Sequence, residues 1–384
     1  MAVAHPRTRP ARRAALAGLA LVGAVAVPMA AGAQSAPTVC ASTAYVASTG
    51  ENQVNTIDAP TRVRQRPDLP TPLLSFTNEV AITPDGKTAL VSLSAFNQLM
   101  TVDVPSRTIT GYIGAGNSPQ GIAITPDGSK VFIVNNQSED VWVVDLATKA
   151  LAVDPIELDE GSAPVEVAIS PDGSVAYITQ PGAQSVATID VATLTKDPDD
   201  IETAGDALGV GFTPDSSTAF VTNVDWSGPG TGSVSTIDVA TRTKDPVDIE
   251  GFVNPSAVVV SRDGSTAYVT NAGDFTVSTI DVATRAVVGA DIQVGTHPID
   301  LALSADGKEV WTTDLDSASV SIIDVASRTS QANAVAVGGG PSGIAFTPCG
   351  SGPAPTTTTT ASTPTTAPAT TAAAAVVVDP RFTG

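Results

Sequence analysis

The chain has 384 residues and a formal charge of −20, with 39 acidic side chains against 19 basic ones. So acidic a surface repels nucleic acid and anionic lipid, which removes both as partners. Two histidines and two cysteines cannot build a multi-histidine metal site, and no Cys-x-x-Cys-His run is present for covalent haem, so no cofactor or metal is expected.

Residues 1–33 read as a secretory signal peptide. Arg7, Arg9, Arg12 and Arg13 precede an apolar run over residues 14–27, and Ala31-Gly32-Ala33 supplies the small-x-small cleavage pattern. Cleavage there predicts a secreted protein, held outside the cell or at its surface, with no membrane span.

Residues 34–350 carry two alternating markers. One closes a strand-like segment on an aspartate, as in Ser-Thr-Ile-Asp-Val-Ala, at Asp58, Asp103, Asp145, Asp190, Asp238, Asp281 and Asp324. The other is a Pro-Asp-Gly-like turn at Asp85, Asp127, Asp172, Asp215, Asp263 and Asp306, spaced 42, 45, 43, 48 and 43 residues apart. A period in the forties with only strand-like segments predicts a ring of small sheets. Residues 255–294 show the unit: strands over 255–261, 267–271, 277–282 and 287–294, rich in Val, Ile, Tyr and Thr, with turns between them. Asp-Gly suits a tight turn because glycine accepts positive φ. The aspartate closing each third strand is expected to accept a backbone N–H just ahead, and Ser or Thr follows it three residues later. Ring symmetry keeps these seven acids apart, so they are not read as a ligand set.

First strands and second strands both number seven, but their registers are offset. The mature chain begins with a second strand near residue 44 and stops after a first strand over 343–347. The expected fold is all-β, a seven-bladed β-propeller of four-stranded antiparallel blades. Its last blade combines residues 343–347 with residues 43–69. Cys349 replaces the aspartate of the turn, and Cys40 stands five residues before Tyr45 as Asp263 does before Tyr268. Both termini thus put cysteine at one repeat position, and a Cys40–Cys349 disulfide is predicted to clasp the ring in an exported chain. Residues 351–384 open with a Thr, Pro, Ala and Ser tract that has no apolar surface to offset chain entropy, and they read as a disordered tail.

Ala-Tyr-Val-Thr-Asn at 267–271, followed by Ser-Thr-Ile-Asp-Val-Ala-Thr-Arg, resembles the repeat of the YVTN-family β-propellers, as do residues 219–223 and 264–270. The resemblance extends over 41–350. It implies seven blades in a bacterial or archaeal secreted or surface-layer protein, and most such proteins have no established activity.

Propellers bind through loops at one mouth of the central channel, here those joining fourth to first and second to third strands. Second strands end there in Asn135, Gln180, Asn223, Asn271 and Asp314, with Ser48 and Leu93 in the other two blades. These side chains either offer a polar ring to a sugar or ion or cap their own loops. His297 is the one histidine left after signal removal and sits in a mouth loop. Trp226 lies in a lengthened loop between Asn223 and Val234, suited to sugar stacking or a protein anchor, or folded back on a blade edge. Acids cluster in outer strands at 154–157, 197–202 and 245–250 without EF-hand spacing, so a solvated edge is expected over a calcium site. The expected function is a noncatalytic binding scaffold whose partner is a glycan, a cell-wall or surface protein, or a peptide. The alternative is an enzyme resembling propeller lactonases or streptogramin lyases, with His297 and Asp314 or Asp206 as its candidate groups.

Overall fold

The fold, taken from a computed structural model, is described for residues 40–225, 231–331 and 334–350. The signal peptide, the tail and Trp226 lie outside the described residues. Seven antiparallel sheets are formed, each with its first strand innermost. Blade 1 runs outward through Thr77–Ile82, Thr88–Leu93, Gln98–Asp103 and Thr108–Gly114. Blades 2 to 6 open with Pro119–Ile124, Glu166–Ile169, Asp206–Phe212, Pro255–Val260 and Pro298–Leu303. Blade 7 is the composite, with Pro341–Phe346 inside and Thr43–Ser48, Gln53–Asp58 and Val63–Pro70 outside it.

The second strands carry the core. They are sandwiched between neighbouring blades, so both faces are buried and they read as nearly continuous apolar runs. One register position holds the wedge between blades: Tyr45, Leu90, Phe132, Tyr177, Phe220, Tyr268 and Trp311 are all at most 1% exposed. Burying one such side chain contributes roughly 1.5–3 kcal/mol. Each of seven apolar clusters straddles one blade interface. Trp311, Val320 and Ile322 of blade 6 meet Ala44, Ile57 and Ile344 of blade 7, while Tyr45 and Val54 meet Val80 and Met100 of blade 1. The Trp311 ring stands edge-on to Phe346 at 5.1 Å. The ring therefore closes through blade 7 with the same packing that joins every other pair.

The repeat aspartates act as expected. In all seven blades the carboxylate accepts the N–H of the Ser or Thr three residues on, at 2.7–3.0 Å. The next residue turns left-handed, as at Arg62, Arg107, Arg285 and Arg328 with φ of 53–58°. These arginines reach back to the preceding blade. Arg62 pairs with Glu309 at 2.6 Å, Arg242 with Asp197 and Arg285 with Asp245, and Arg107 donates to the carbonyls of Gln65 and Pro67 at 3.0 and 2.8 Å.

One expectation needs correction. Residues 287–294 do not form a continuous outer strand. In blades 2 to 6 the outer strand is two short pieces, as in Ala286–Val287 and Ile292–Gln293, both paired to the third strand. The chain bows out between them so that an aspartate can reach into the blade. Asp291 accepts Ser278 Oγ, Asp248 accepts Ser235 Oγ and Asp200 accepts Gln180 Nε2, each at 2.6 Å. Two of these same aspartates also pair with lysines, Lys196–Asp200 at 2.7 Å and Lys244–Asp248 at 2.9 Å. Among the described residues no group of His, Cys, Asp or Glu is arranged to hold a metal ion.

Cys40 and Cys349 are joined in a disulfide, their Cα atoms 4.9 Å apart across 309 residues of chain. Closing so long a loop limits the unfolded ensemble by up to about 5 kcal/mol in the chain-entropy account. Reduction, or the Cys40→Ser/Cys349→Ser pair, should therefore lower the melting temperature and speed amide exchange in Thr43–Ser48 and Pro341–Phe346 first. An unchanged melting temperature and uniform exchange would show that packing alone holds the closure.

Candidate functional site

In six of the seven blades the inner strand is irregularly paired near the mouth. The register jumps between Thr77 and Val80, Pro119 and Ile122, Ala207 and Val210, and Pro255 and Val258. A second-strand hydroxyl fills the gap: the N–H groups of Glu79, Glu166, Gly209 and Ala257 donate to Ser92, Thr179, Thr222 and Thr270 at 2.8–3.1 Å. A bulge of this kind re-aims one side chain. Counted from Thr77, Pro119, Pro164, Ala207, Pro255, Pro298 and Pro341, the third position holds Glu79, Gly121, Glu166, Gly209, Ala257, Asp300 and Gly343 around the ring.

Crowding explains the small residues. A Cβ on Gly343 would lie 2.6 Å from the Asn78 carbonyl and 2.7 Å from Glu79 Cα, and one on Gly121 would lie 2.8 Å from Glu166 Cα. The inner strands pack backbone to backbone, and three carboxyls occupy the space left over. Glu79, Glu166 and Asp300 line a cavity of about 270 Å³ together with Asn78, Gln120 and Leu208.

The three carboxyls are half-buried toward the lumen and enclosed by the ring on every other side. Burial, and then the nearby Asp300, push Glu166 up to about 8. Burial, Asp300 and Glu166 hold Glu79 well above the usual carboxyl range. Burial raises Asp300 to about 7, partly offset by N–H groups donated from Leu301 at 2.7 Å and from Ile344 of the next blade at 2.8 Å. Glu79 accepts only the N–H of Val80, at 2.9 Å, and Glu166 has no side-chain hydrogen bond among the described residues. Among the described residues no Lys or Arg lines the cavity. The mouth loops carry Glu51, Glu139, Asp159, Glu160, Asp274 and Asp316 and no lysine or arginine.

The residues expected from sequence lie elsewhere. Asn135, Gln180, Asn223, Asn271 and Asp314 are at most 2% exposed and are engaged within their own blades. Asn135 donates to Asp140 at 2.7 Å, Gln180 to Asp200, and Asn223 and Asn271 to Ser235 and Ser278 at 2.8 Å each. Asp314 accepts Ser321 Oγ at 2.7 Å and is raised by burial. Ser48 and Leu93 are fully buried too. These side chains are held by other side chains of their own blades, and the amide oxygens of Asn135, Gln180, Asn223 and Asn271 are buried without a partner among the described residues. His297 is in a mouth loop with φ of 58°, its Nδ1 3.2 Å from Asp316, and it does not line the cavity. Asp206 accepts Gln184 Nε2 at 3.1 Å. Trp226 falls beyond the paired ends Asp225 and Thr231 of a lengthened hairpin, outside the described residues. The channel carboxyls escaped the sequence reading, although aligning the inner strands gives the column Glu, Gly, Glu, Gly, Ala, Asp, Gly.

The protonation pattern gives a signed expectation. An acid whose folded value is raised keeps a proton that the unfolded chain releases, so stability falls as pH rises from about 4 to 8. The turn aspartates act oppositely: hydrogen bonds from Thr125 and Ser129 lower Asp127 to about 2, and those from Ser261 and Ser265 do the same for Asp263, so their contribution is lost below about pH 4. Glu79→Gln/Glu166→Gln should melt a few °C above the wild type at pH 8, with the gap closing near pH 4. A gap independent of pH would contradict the raised carboxyls. Asp300 is left intact because both its oxygens accept backbone N–H groups.

No protein-family model matches the chain, and no curated protein matches it. Solved structures match in fold. A hydrazine synthase chain from Kuenenia stuttgartiensis is 22% identical with a TM-score of 0.63, covering 70% of this chain and 88% of that one. A functionally unknown protein from Desulfotomaculum acetoxidans is 17% identical with a TM-score of 0.69, covering 80% and 99%. The dihydro-haem d1 dehydrogenase NirN is 13% identical with a TM-score of 0.57, covering 79% and 74%. At these identities the likeness concerns architecture alone, and the chain is a seven-bladed β-propeller.

Proposed function

We propose that this chain is an exported YVTN-type propeller that acts as a noncatalytic binding module, its channel taking a cationic group of a glycan, a surface protein or a peptide. The observation that carries the reading is the layer of Glu79, Glu166 and Asp300: three desolvated, mutually repelling carboxyls on one cavity with no base among them. An ammonium or guanidinium group there relieves the repulsion and supplies the missing donors. Export is supported by the arginine, apolar and small-residue succession before residue 34 and by the disulfide.

Calorimetric titration with n-butylammonium tests it. Binding should release protons, strengthen from pH 6 to pH 8 as the carboxyls ionise, and weaken about tenfold or more in Glu79→Gln/Glu166→Gln. The neutral isostere n-butanol should not compete. Equal ammonium binding by wild type and variant, or none up to about 50 mM, would remove the channel as the recognition site.

A second reading, a hydrolase or lyase, is favoured by one feature: two carboxyls on one cavity, Asp300 raised to about 7 and Glu166 to about 8, titrate close to neutral pH, where a general base and a general acid work best. His297 has no part in it. Turnover of an ester or glycan, lost in Glu166→Gln and inhibited by butylammonium, would replace the noncatalytic reading.

A further inference from the structure

Four large apolar side chains stand in solvent at the rim of blade 1. Leu73, Leu74 and Phe76 are 76%, 63% and 51% exposed in the loop that leads into the inner strand, and Phe96 is 45% exposed in the adjoining loop between second and third strands. The two loops are tied together: Ser94 N–H donates to the Phe76 carbonyl and Ala95 N–H to the Ser75 carbonyl, both at 3.2 Å. The first loop is also fixed from blade 7, where Asn52 Oδ1 accepts Leu74 N–H at 2.7 Å, and from within, where Thr71 and Ser75 hydroxyls meet at 2.9 Å. The patch is thus held in place by bonds that do not involve its side chains.

The fold does not require these residues. Leu74 and Phe76 have φ of 60° and 47°, a region that bulky side chains seldom adopt. At the position of Phe76 five of the other six blades place Ser118, Ala163, Asn254, His297 and Gly340, also with positive φ and mostly small or polar. Blade 1 therefore combines an unfavoured backbone with exposed apolar surface at one corner of the mouth. Contiguous exposed apolar surface with a polar surround marks interaction sites.

Glu79 lies three residues beyond Phe76 along the chain, at most about 10 Å even at full strand rise. The patch and the acidic cavity are neighbouring parts of one surface, and the mouth around them carries carboxylates and no lysine or arginine. A membrane is disfavoured by that same charge, and a second copy of this chain would bring like charge against like. We propose that the rim of blade 1 and the channel together bind a peptide segment of a partner protein, large apolar residues resting on Leu73, Leu74, Phe76 and Phe96 and a neighbouring lysine or arginine reaching Glu79. The inference rests on the channel's taking a cation and adds the class of ligand that brings it.

The test uses capped tetrapeptides in which two residues drawn from Leu, Phe and Trp precede a glycine and a lysine, each paired with a norleucine counterpart. Titrations compare the wild-type chain, Phe76→Ser/Phe96→Ser and Glu79→Gln. The serine changes follow Ser118 at the equivalent turn and leave the loop bonds in place. The lysine peptides should bind at least tenfold more tightly than their norleucine partners and than n-butylammonium. The serine variant should lose about tenfold in peptide affinity with butylammonium binding unchanged, whereas Glu79→Gln should weaken both. Loss of butylammonium binding with peptide binding retained would overturn the channel reading and leave the patch. The peptide inference is overturned if no lysine peptide outbinds butylammonium, or if the serine variant binds peptides as the wild type does. It is also overturned if the patch instead drives self-association in sedimentation or binding to phosphatidylcholine vesicles.

Discussion

Seven inner strands meet around one axis, and the space they leave is the constraint on which the rest of the molecule depends. At the third residue of each strand the backbones of adjacent blades approach so closely that Gly343 and Gly121 could not carry a Cβ without moving a neighbour. Four of the seven blades accordingly have glycine or alanine at third positions of the described strands, at Gly121, Gly209, Ala257 and Gly343. The three side chains that do project there are all carboxyls. Apolar residues would have filled the same room without charge repulsion, so the acids are a local departure from what packing alone favours.

The surrounding ring supports that departure. Wedge residues such as Tyr45, Tyr268 and Trp311 bury both faces of the second strands, and seven apolar clusters link each blade to the next. The disulfide secures the one interface at which the chain's two ends meet. Charge is sorted to match. Arginines after the third-strand turns tie blade to blade on the side away from the mouth, which leaves the mouth acidic. Two different causes sort the carboxyls: burial and neighbouring acids raise those in the channel, whereas O–H and N–H donors lower those in the turns.

Much of this was legible from residues. The recurring turn and strand markers predict blade number, and the offset of first and second strands predicts the composite blade. The cysteines at one repeat position predict their bond. The polar residues ending the second strands were harder to judge: their position near the mouth was evident, but their inward direction depends on partners such as Asp140, Asp200 and Ser235. The broken outer strands were missed because the aspartates that reach from the break into the blade look, in sequence, like a solvated edge.

The sequence by itself determined the repeat, the closure and the placement of the markers, because each of these follows from local turn chemistry and from strand periodicity. Only the tertiary structure decided the site. Glu79, Glu166 and Asp300 are separated by long stretches of chain, and whether they face the lumen or a blade depends on a bulge completed by hydroxyls of the adjacent strand. Their raised protonation equilibria exist only because ring closure brings distant blades around one cavity.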